Sequence, residues 1–375
     1  MNFISSHTNA KHWEEAVSSC LRQMAHFTPS ANLGFLYVTD WFANSIHDIT
    51  DYLKQNTPVN HWVGAIGVGI CSQNVEYFDE PAMAIMLGQL PENSFQIFTN
   101  MKDEQVEKFT FTHQSWCESK QPMFAIVHGD PRHSQIVDTI FQLSEQLGEG
   151  FLVGGLTSSR HQHFQLADEI VEGGFSGVLF SSAIKVATRL TQGCSAIGPR
   201  RQITQANHNI IVRIDDRPAL DVFKEDIGKE LSQDLEKIAG NIFAALPIIG
   251  SDTGDYVVRN LIGIDPEHQL LAIGDVVKPG MPILFTRRDA KTAYEDLITM
   301  LKKLKNCLND KPPKGGVYYS CLGRGESLFG KHKEIQVIHE ILGEFPLVGF
   351  FASGEIFYQR LYSYTGVLTL FLNET

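Results

Sequence analysis

The sequence predicts an α/β (mixed α+β) fold in two related lobes, built from repeated strand-helix-strand-strand units with helices covering mixed sheets. Three observations predict it. A chain of 375 residues is long for a single core. The composition, 43% hydrophobic and 20% charged, is that of a globular protein. An apolar run, a helical period, a Val-Gly run and a further apolar run recur in that order at least three times.

The first copy opens with "NLGFLYVTD", a strand ending at Asp40, followed by Phe42, Ile46, Ile49 and Leu53 at helical spacing. The second opens with "PMFAIVHGD", where Asp130 is expected to cap a helix that begins at Pro131 and turns Ile136, Ile140, Phe141, Ser144 and Leu147 to one face. The third opens with "GGVYYSCLGRG", followed by Ile335, Ile338, Ile341, Leu342 and Phe345. Each helix leads to a glycine-bearing strand, "HWVGAIGVGICS", "FLVGGLTSSRHQ" or "PLVGFFASGEIF", and then to a return strand, "AMAIML", "SGVLFSS" or "GVLTLFL". A looser fourth copy runs from "NIIVRID" to "LPIIGSDTGDYVVRNLIGID". Two more helices fit the plan. One carries Trp13, Ala16, Val17, Cys20, Leu21 and Met24 on one face, and the other carries Tyr294, Leu297, Ile298, Leu301, Leu304 and Leu308, ahead of the Pro/Gly loop "NDKPPKGG". The polar stretch "GPRRQITQANHN" is the expected boundary, giving lobes at 1–205 and 206–375.

Charge and cysteine usage narrow the function. With 43 acidic against 31 basic residues the net charge is −12, which repels phosphate backbones, and no Lys/Arg stripe offsets it. Nucleic acid is excluded as a partner. No signal peptide or membrane span is readable, and the six cysteines form no C-x-x-C pair, so the thiols read as reduced and the protein as cytoplasmic.

"YYSCLGRGESLFG" places Cys321, Gly323, Arg324 and Gly325 at a strand end. A dinucleotide fingerprint needs a small residue where Leu328 stands, and no P-loop follows. Three readings remain: a tight turn over a buried thiol, a ligand site in which the glycines admit a ligand to the backbone and Arg324 adds charge, or a Cys321 nucleophile. In "VGFFASGEIF", Gly349, Ser353 and Gly354 precede Glu355, whose carboxylate either recognises an amine in a cleft or sits at a solvated edge. "GGLTSSRHQ" is the equivalent turn of the first lobe, with Gly155 for approach and Ser158, Ser159 and Arg160 as donors. Cys194 lies in a shaped loop, with a linker role or a cleft role open. His128 and His133, with Asp130 between them already read as a helix cap, and His161 and His163 each lack a fixed third ligand at metal spacing, so no metal site is assigned.

These segments together resemble the FIST family, in both its N-terminal and C-terminal halves, from about Trp13 to Leu372. The resemblance implies a sensory ligand-binding protein of signal transduction rather than an enzyme, with amino acids among the proposed ligands. No output region follows the second half, so a separate partner would carry the signal, a histidine kinase or a cyclic-di-GMP enzyme, and homo-oligomers are compatible with it. Some members that stand alone are haem-containing nitric-oxide sensors. For that subgroup haem b would bind non-covalently, with His128 as the candidate axial ligand and His61 and His113 behind it. The expected site is a cleft at the glycine-bearing strand ends, where Arg324 and Glu355 orient the ligand, and Arg324→Ala is expected to weaken binding with the fold intact. Two other classes stand beside this one: an enzyme using Cys321 or the Arg324 and Glu355 pair, and an interaction scaffold without a small ligand.

Overall fold

The three copies fold alike. In the computed structural model, which describes residues 1–27, 30–101, 106–148, 150–233, 238–248, 255–308 and 311–373, strand Leu33–Thr39 leads through a 3-10 segment into helix Ile46–Asn56 and returns as strand His61–Gly67, parallel to the first. The second copy is strand Phe124–Gly129, helix Ile136–Gln146 and strand Phe151–Leu156, and the third is strand Gly315–Cys321, helix Lys333–Leu342 and strand Leu347–Ala352. Both pairs are again parallel. The return strands Met83–Gln89, Phe175–Phe180 and Thr365–Phe371 lie antiparallel against the other side of each first strand. A crossover through an amphipathic helix explains the parallel pair, because that helix can bury its apolar face only by packing back on the sheet.

The Val-Gly signal has one cause in all three copies. A Cβ on Gly64, Gly154 or Gly349 would lie 1.8, 1.8 or 1.7 Å from the carbonyl oxygen of Leu36, Val127 or Tyr318, the fourth residue of each first strand. Gly349 is therefore fixed by strand packing and does not make room for a ligand.

Between the second strand and the return strand each copy extends a short strand, and these are exchanged in a cycle. Gly69–Ser72 of the first copy pairs with Leu347–Ala352 of the third. Glu355–Tyr358 of the third pairs with Phe151–Leu156 of the second, and Phe164–Ala167 of the second pairs with His61–Gly67 of the first. Each sheet thereby has six strands and borrows its last two. The inner faces of all three sheets meet in one core that includes Phe35, Val63, Phe124, Val153, Val317 and Phe350.

The chain divides into two compact units, one of Met1–Thr191, Leu297–Leu361 and Thr365–Thr375, and one of Gln192–Asp296 with Tyr362–Tyr364. The three copies form the first unit. The second enters the third copy between strand Val186–Gln192 and helix Ala290–Asn306. It is a ring of antiparallel strands, Cys194–Asn207, Pro282–Arg288, Ile242–Pro247, Tyr256–Asp265, Leu270–Ile273 and Ile210–Ile214, which closes by pairing back onto Cys194–Asn207. Helix Ala219–Ile227 contributes Leu220, Val222 and Phe223 to its core.

Three expectations change. The looser fourth copy is part of this ring: its strands pair antiparallel and lack the parallel pair that defines the repeat. The stretch 198–209, expected to be a linker, falls largely inside strand Cys194–Asn207, whose outward side chains give it a polar composition. The second helix begins at Ile136, not at Pro131, because Asp130 accepts hydrogen bonds from the backbone N–H and guanidinium of Arg132 and holds a turn there. Residues 249–254 of the fourth copy and 309–310 of the Pro/Gly loop lie outside the described residues.

Candidate functional site

Strand Gly315–Cys321 turns Tyr319 toward the shared core and Tyr318 and Ser320 to the opposite face, because alternate residues of a strand point opposite ways. On that face stands Glu334, in the first turn of helix Lys333–Leu342 and wholly buried. Its carboxylate accepts from Tyr318 Oη at 2.6 Å, Ser320 Oγ at 3.1 Å, the Gly325 N–H at 3.1 Å and Arg324 Nε at 2.8 Å. Arg324 Nη2 lies 2.7 Å from the same Oε1, and neither side chain is exposed at all. Burial opposes the charge of Arg324, but the Glu334 carboxylate beside it outweighs this and holds the guanidinium protonated. The ring of Phe329 covers the guanidinium at 5.0 Å. Arg324 Nη1 has no hydrogen-bond partner.

Glu355 lies in the field of Arg324 and within hydrogen-bond reach of the Cys321 thiol. It is wholly buried, Oε2 accepts from Thr365 N at 3.1 Å and Thr365 Oγ1 at 2.8 Å, and Oε1 has no hydrogen-bond partner. Burial pushes its pKa up to about 8, against the hydrogen bonds from Thr365 and the charge of Arg324. A third buried acid, Glu76, reaches across from the first copy and accepts the Ile335 N–H at 3.2 Å, capping the helix that carries Glu334. Burial and then the Glu334 charge raise it to about 8. The Glu76 N–H donates to His332 Nδ1 at 3.1 Å, tying strand Val75–Phe78 to the turn before the helix.

Of the residues expected to form a site, Arg324, Gly325, Cys321 and Glu355 come together here. Gly325 adopts φ +55, and a Cβ there would meet Phe351 and Phe78 at 2.8 Å, so its backbone shape is set by packing as well as by its bond to Glu334. Gly323 lies in the same turn, half-buried. The expectation for Arg324→Ala changes: removing this guanidinium strips a buried carboxylate of its counter-charge, so the fold is not left intact.

The other strand ends do not open a cleft at their meeting point. Ser158 Oγ donates to the Phe351 carbonyl and accepts from Val68 N at 2.9 Å, joining all three copies. Ser353 N donates to the Leu156 carbonyl at 3.0 Å, and Gly155 faces Ala352 so closely that a Cβ would lie 2.8 Å away. Ser159 is a turn residue that accepts from His161 N. Arg160 is clamped by Asp40 through Nε and Nη2, both at 2.9 Å, and by Asp79 through Nη1 at 2.8 Å. Cys194 is in the second unit, where it lines a polar pocket of about 350 Å³ with Asp255, Tyr256 and Asp296.

His128 does not fit a haem ligand. It is the fifth residue of its strand, as Tyr37 and Tyr319 are of theirs, and the three form a buried cluster: Tyr37 Oη is 3.1 Å from His128 Nε2 and 2.9 Å from Tyr319 Oη. The ring has no exposed edge, and aromatic centroids pack around it at 5.6 to 6.0 Å. Burial lowers its pKa to about 3, so it stays neutral. His61, the second candidate, sits half-exposed against Asp168 at 2.8 Å.

The repeated α+β unit thus buries a guanidinium and carboxylates that keep unmatched hydrogen-bonding atoms. The chain belongs to the FIST family: the FIST N domain matches residues 32–217 and the FIST C domain residues 219–358. FIST domains are small-ligand sensing modules of signal-transduction proteins. Among relatives, an uncharacterized protein of Mycobacterium tuberculosis is 26% identical over 96% of this chain and 95% of its own length. An uncharacterized protein of Mycobacterium bovis is 31% identical over 49% of this chain and 50% of its own. No helix among the described residues is long and apolar enough to cross a membrane.

Proposed function

We propose that this protein senses a small polar ligand at the Arg324, Cys321 and Glu355 cluster and passes the signal to a separate partner, a histidine kinase or a cyclic-di-GMP enzyme. One observation carries the reading. Two wholly buried ionisable side chains on neighbouring elements each keep a hydrogen-bonding atom without a partner, Arg324 Nη1 and Glu355 Oε1. Buried polar atoms of folded proteins are nearly always matched, and an unmatched pair in one place marks ligand chemistry. Ligand at this point would act on the turn before helix Lys333–Leu342, and through Glu76 and His332 on strand Val75–Phe78. A ligand shifts such an equilibrium only by binding one arrangement better, and loss of this contact would be the other arrangement.

The haem-based nitric-oxide reading is weakened by the packing of His128. The division of the sequence at about 205, 1–205 and 206–375, belongs to the same proposal as a boundary between family segments. The test is thermal unfolding of the purified protein across small carboxylates, amines, amino acids, nucleotides and haemin. A melting shift with a polar small molecule, reduced in Glu355→Ala, is expected. No shift with any of them would point to the scaffold class, whereas turnover lost in Cys321→Ser would point to an enzyme.

A further inference from the structure

We infer that the ligand at this cluster is a small oxygen-bearing anion, a carboxylate or an inorganic oxyanion, held by Arg324 and Glu355. The inference rests on the site proposed above and reverses the amine reading of Glu355. Arg324 Nη1 carries only N–H donors and has no hydrogen-bond partner in the protein, so a ligand that bonds to it does so as an acceptor. Glu355 already has Oε2 engaged as an acceptor by Thr365, and its free Oε1 is in a wholly buried position. An ionised carboxylate left there with a bare oxygen is costly, and its pKa near 8 leaves it mainly protonated at neutral pH. In that state Oε1 is a donor as well. Two buried donors in one cluster favour an acceptor on the ligand.

The charged and titratable groups around Glu355 agree with this. Arg324 and Glu334 cancel each other, Tyr318 donates to Glu334, the Cys321 thiol lies against Glu355, and Glu76 is held largely protonated on the far side of Glu334. The resting cluster is close to neutral. An incoming anion meets a guanidinium whose Nη1 has no partner in the protein, and its negative charge favours the proton on Glu355. Binding is thus coupled to that proton and weakens as the acid ionises.

The experiment is isothermal titration of the intact chain with acetate, nitrate, phosphate, methylammonium and glycine at pH 6, 7, 8 and 9. Each titration is repeated in two buffers of different ionisation heat to count protons. Acetate, nitrate or phosphate should bind with an affinity that falls about tenfold from pH 7 to pH 9 and with net proton uptake near pH 8. Acetate alone would identify the ligand as a carboxylate, and nitrate or phosphate an inorganic oxyanion. Glu355→Gln, which mimics the acid form, should keep anion binding and lose its pH dependence. Should that variant not fold, the proton count on the wild-type chain decides alone. Methylammonium or glycine binding that strengthens toward pH 9 with proton release would overturn the anion inference and keep the site. Silence from every probe at every pH would remove the site and this inference together.

Discussion

Gly349→Ala tests the repeat at its tightest point. The new Cβ would lie 1.7 Å from the Tyr318 carbonyl oxygen, and real Cβ contacts essentially never fall under 3.0 Å. Strands Gly315–Cys321 and Leu347–Ala352 would have to separate locally by roughly 1.3 Å, about a quarter of the normal strand spacing. Ladder hydrogen bonds near 2.9 Å would then open past 4 Å and cease to be bonds. Two buried backbone bonds lost at about 1–3 kcal/mol each put the cost at about 2–6 kcal/mol. That corresponds to a fall in Tm on the order of 10 °C for a unit of this size. Thermal unfolding followed by circular dichroism measures it, with Gly64→Ala and Gly154→Ala as equivalents and Gly263→Ala as a control, since a Cβ at 263 meets only Ala272 at 3.5 Å. Wild-type melting of Gly349→Ala, or equal losses in the control, would refute the shared cause assigned to the three Val-Gly signals.

Glu334→Gln should cost about 3–5 kcal/mol in urea unfolding, because it leaves a buried guanidinium uncompensated, and Arg324→Met combined with Glu334→Met should recover much of that loss. Tyr37→Phe removes the hydroxyl that joins His128 to Tyr319, and a loss of about 1–3 kcal/mol is expected, with Val38→Ala as a packing comparison. Stability should fall as pH rises from about 4.5 to about 8. Glu355 and Glu76 have folded pKa values above the ordinary carboxylate value, so the folded state holds protons the unfolded state has released, and their stabilisation is complete below that window. Denaturation midpoints at pH 5 and pH 8 measure this, and Glu355→Gln should flatten the slope, whereas an unchanged slope would contradict the assignment.

The repeat was legible because two periods alternate in it, 2 in the strands and 3.6 in the helices, and because glycine recurs where a backbone carbonyl leaves no room. Arg324 and Glu355 were legible as charges among glycines at strand ends. Their partner Glu334 was not singled out, yet it left a signal: it lies four residues before Ile338 and eight before Leu342, an acid on the apolar stripe of its helix. Glu76, in a four-residue strand, gave no comparable sign, since so short a strand does not say which sheet it joins. The exchange of strands among the copies was hidden for the same reason. The closed ring escaped notice because its polar outer face made strand Cys194–Asn207 read as a linker.

The exchange also sets a timetable for synthesis. Strand Gly69–Ser72 is made early, but its neighbour Leu347–Ala352 appears nearly 300 residues later, and strand Thr365–Phe371, which occupies the interior of that same sheet, is later still. A nascent chain emerging from the ribosome therefore carries an apolar edge with nothing to pair with until almost the last residue is added. Such an edge is open to mispairing with a neighbouring nascent chain over that interval.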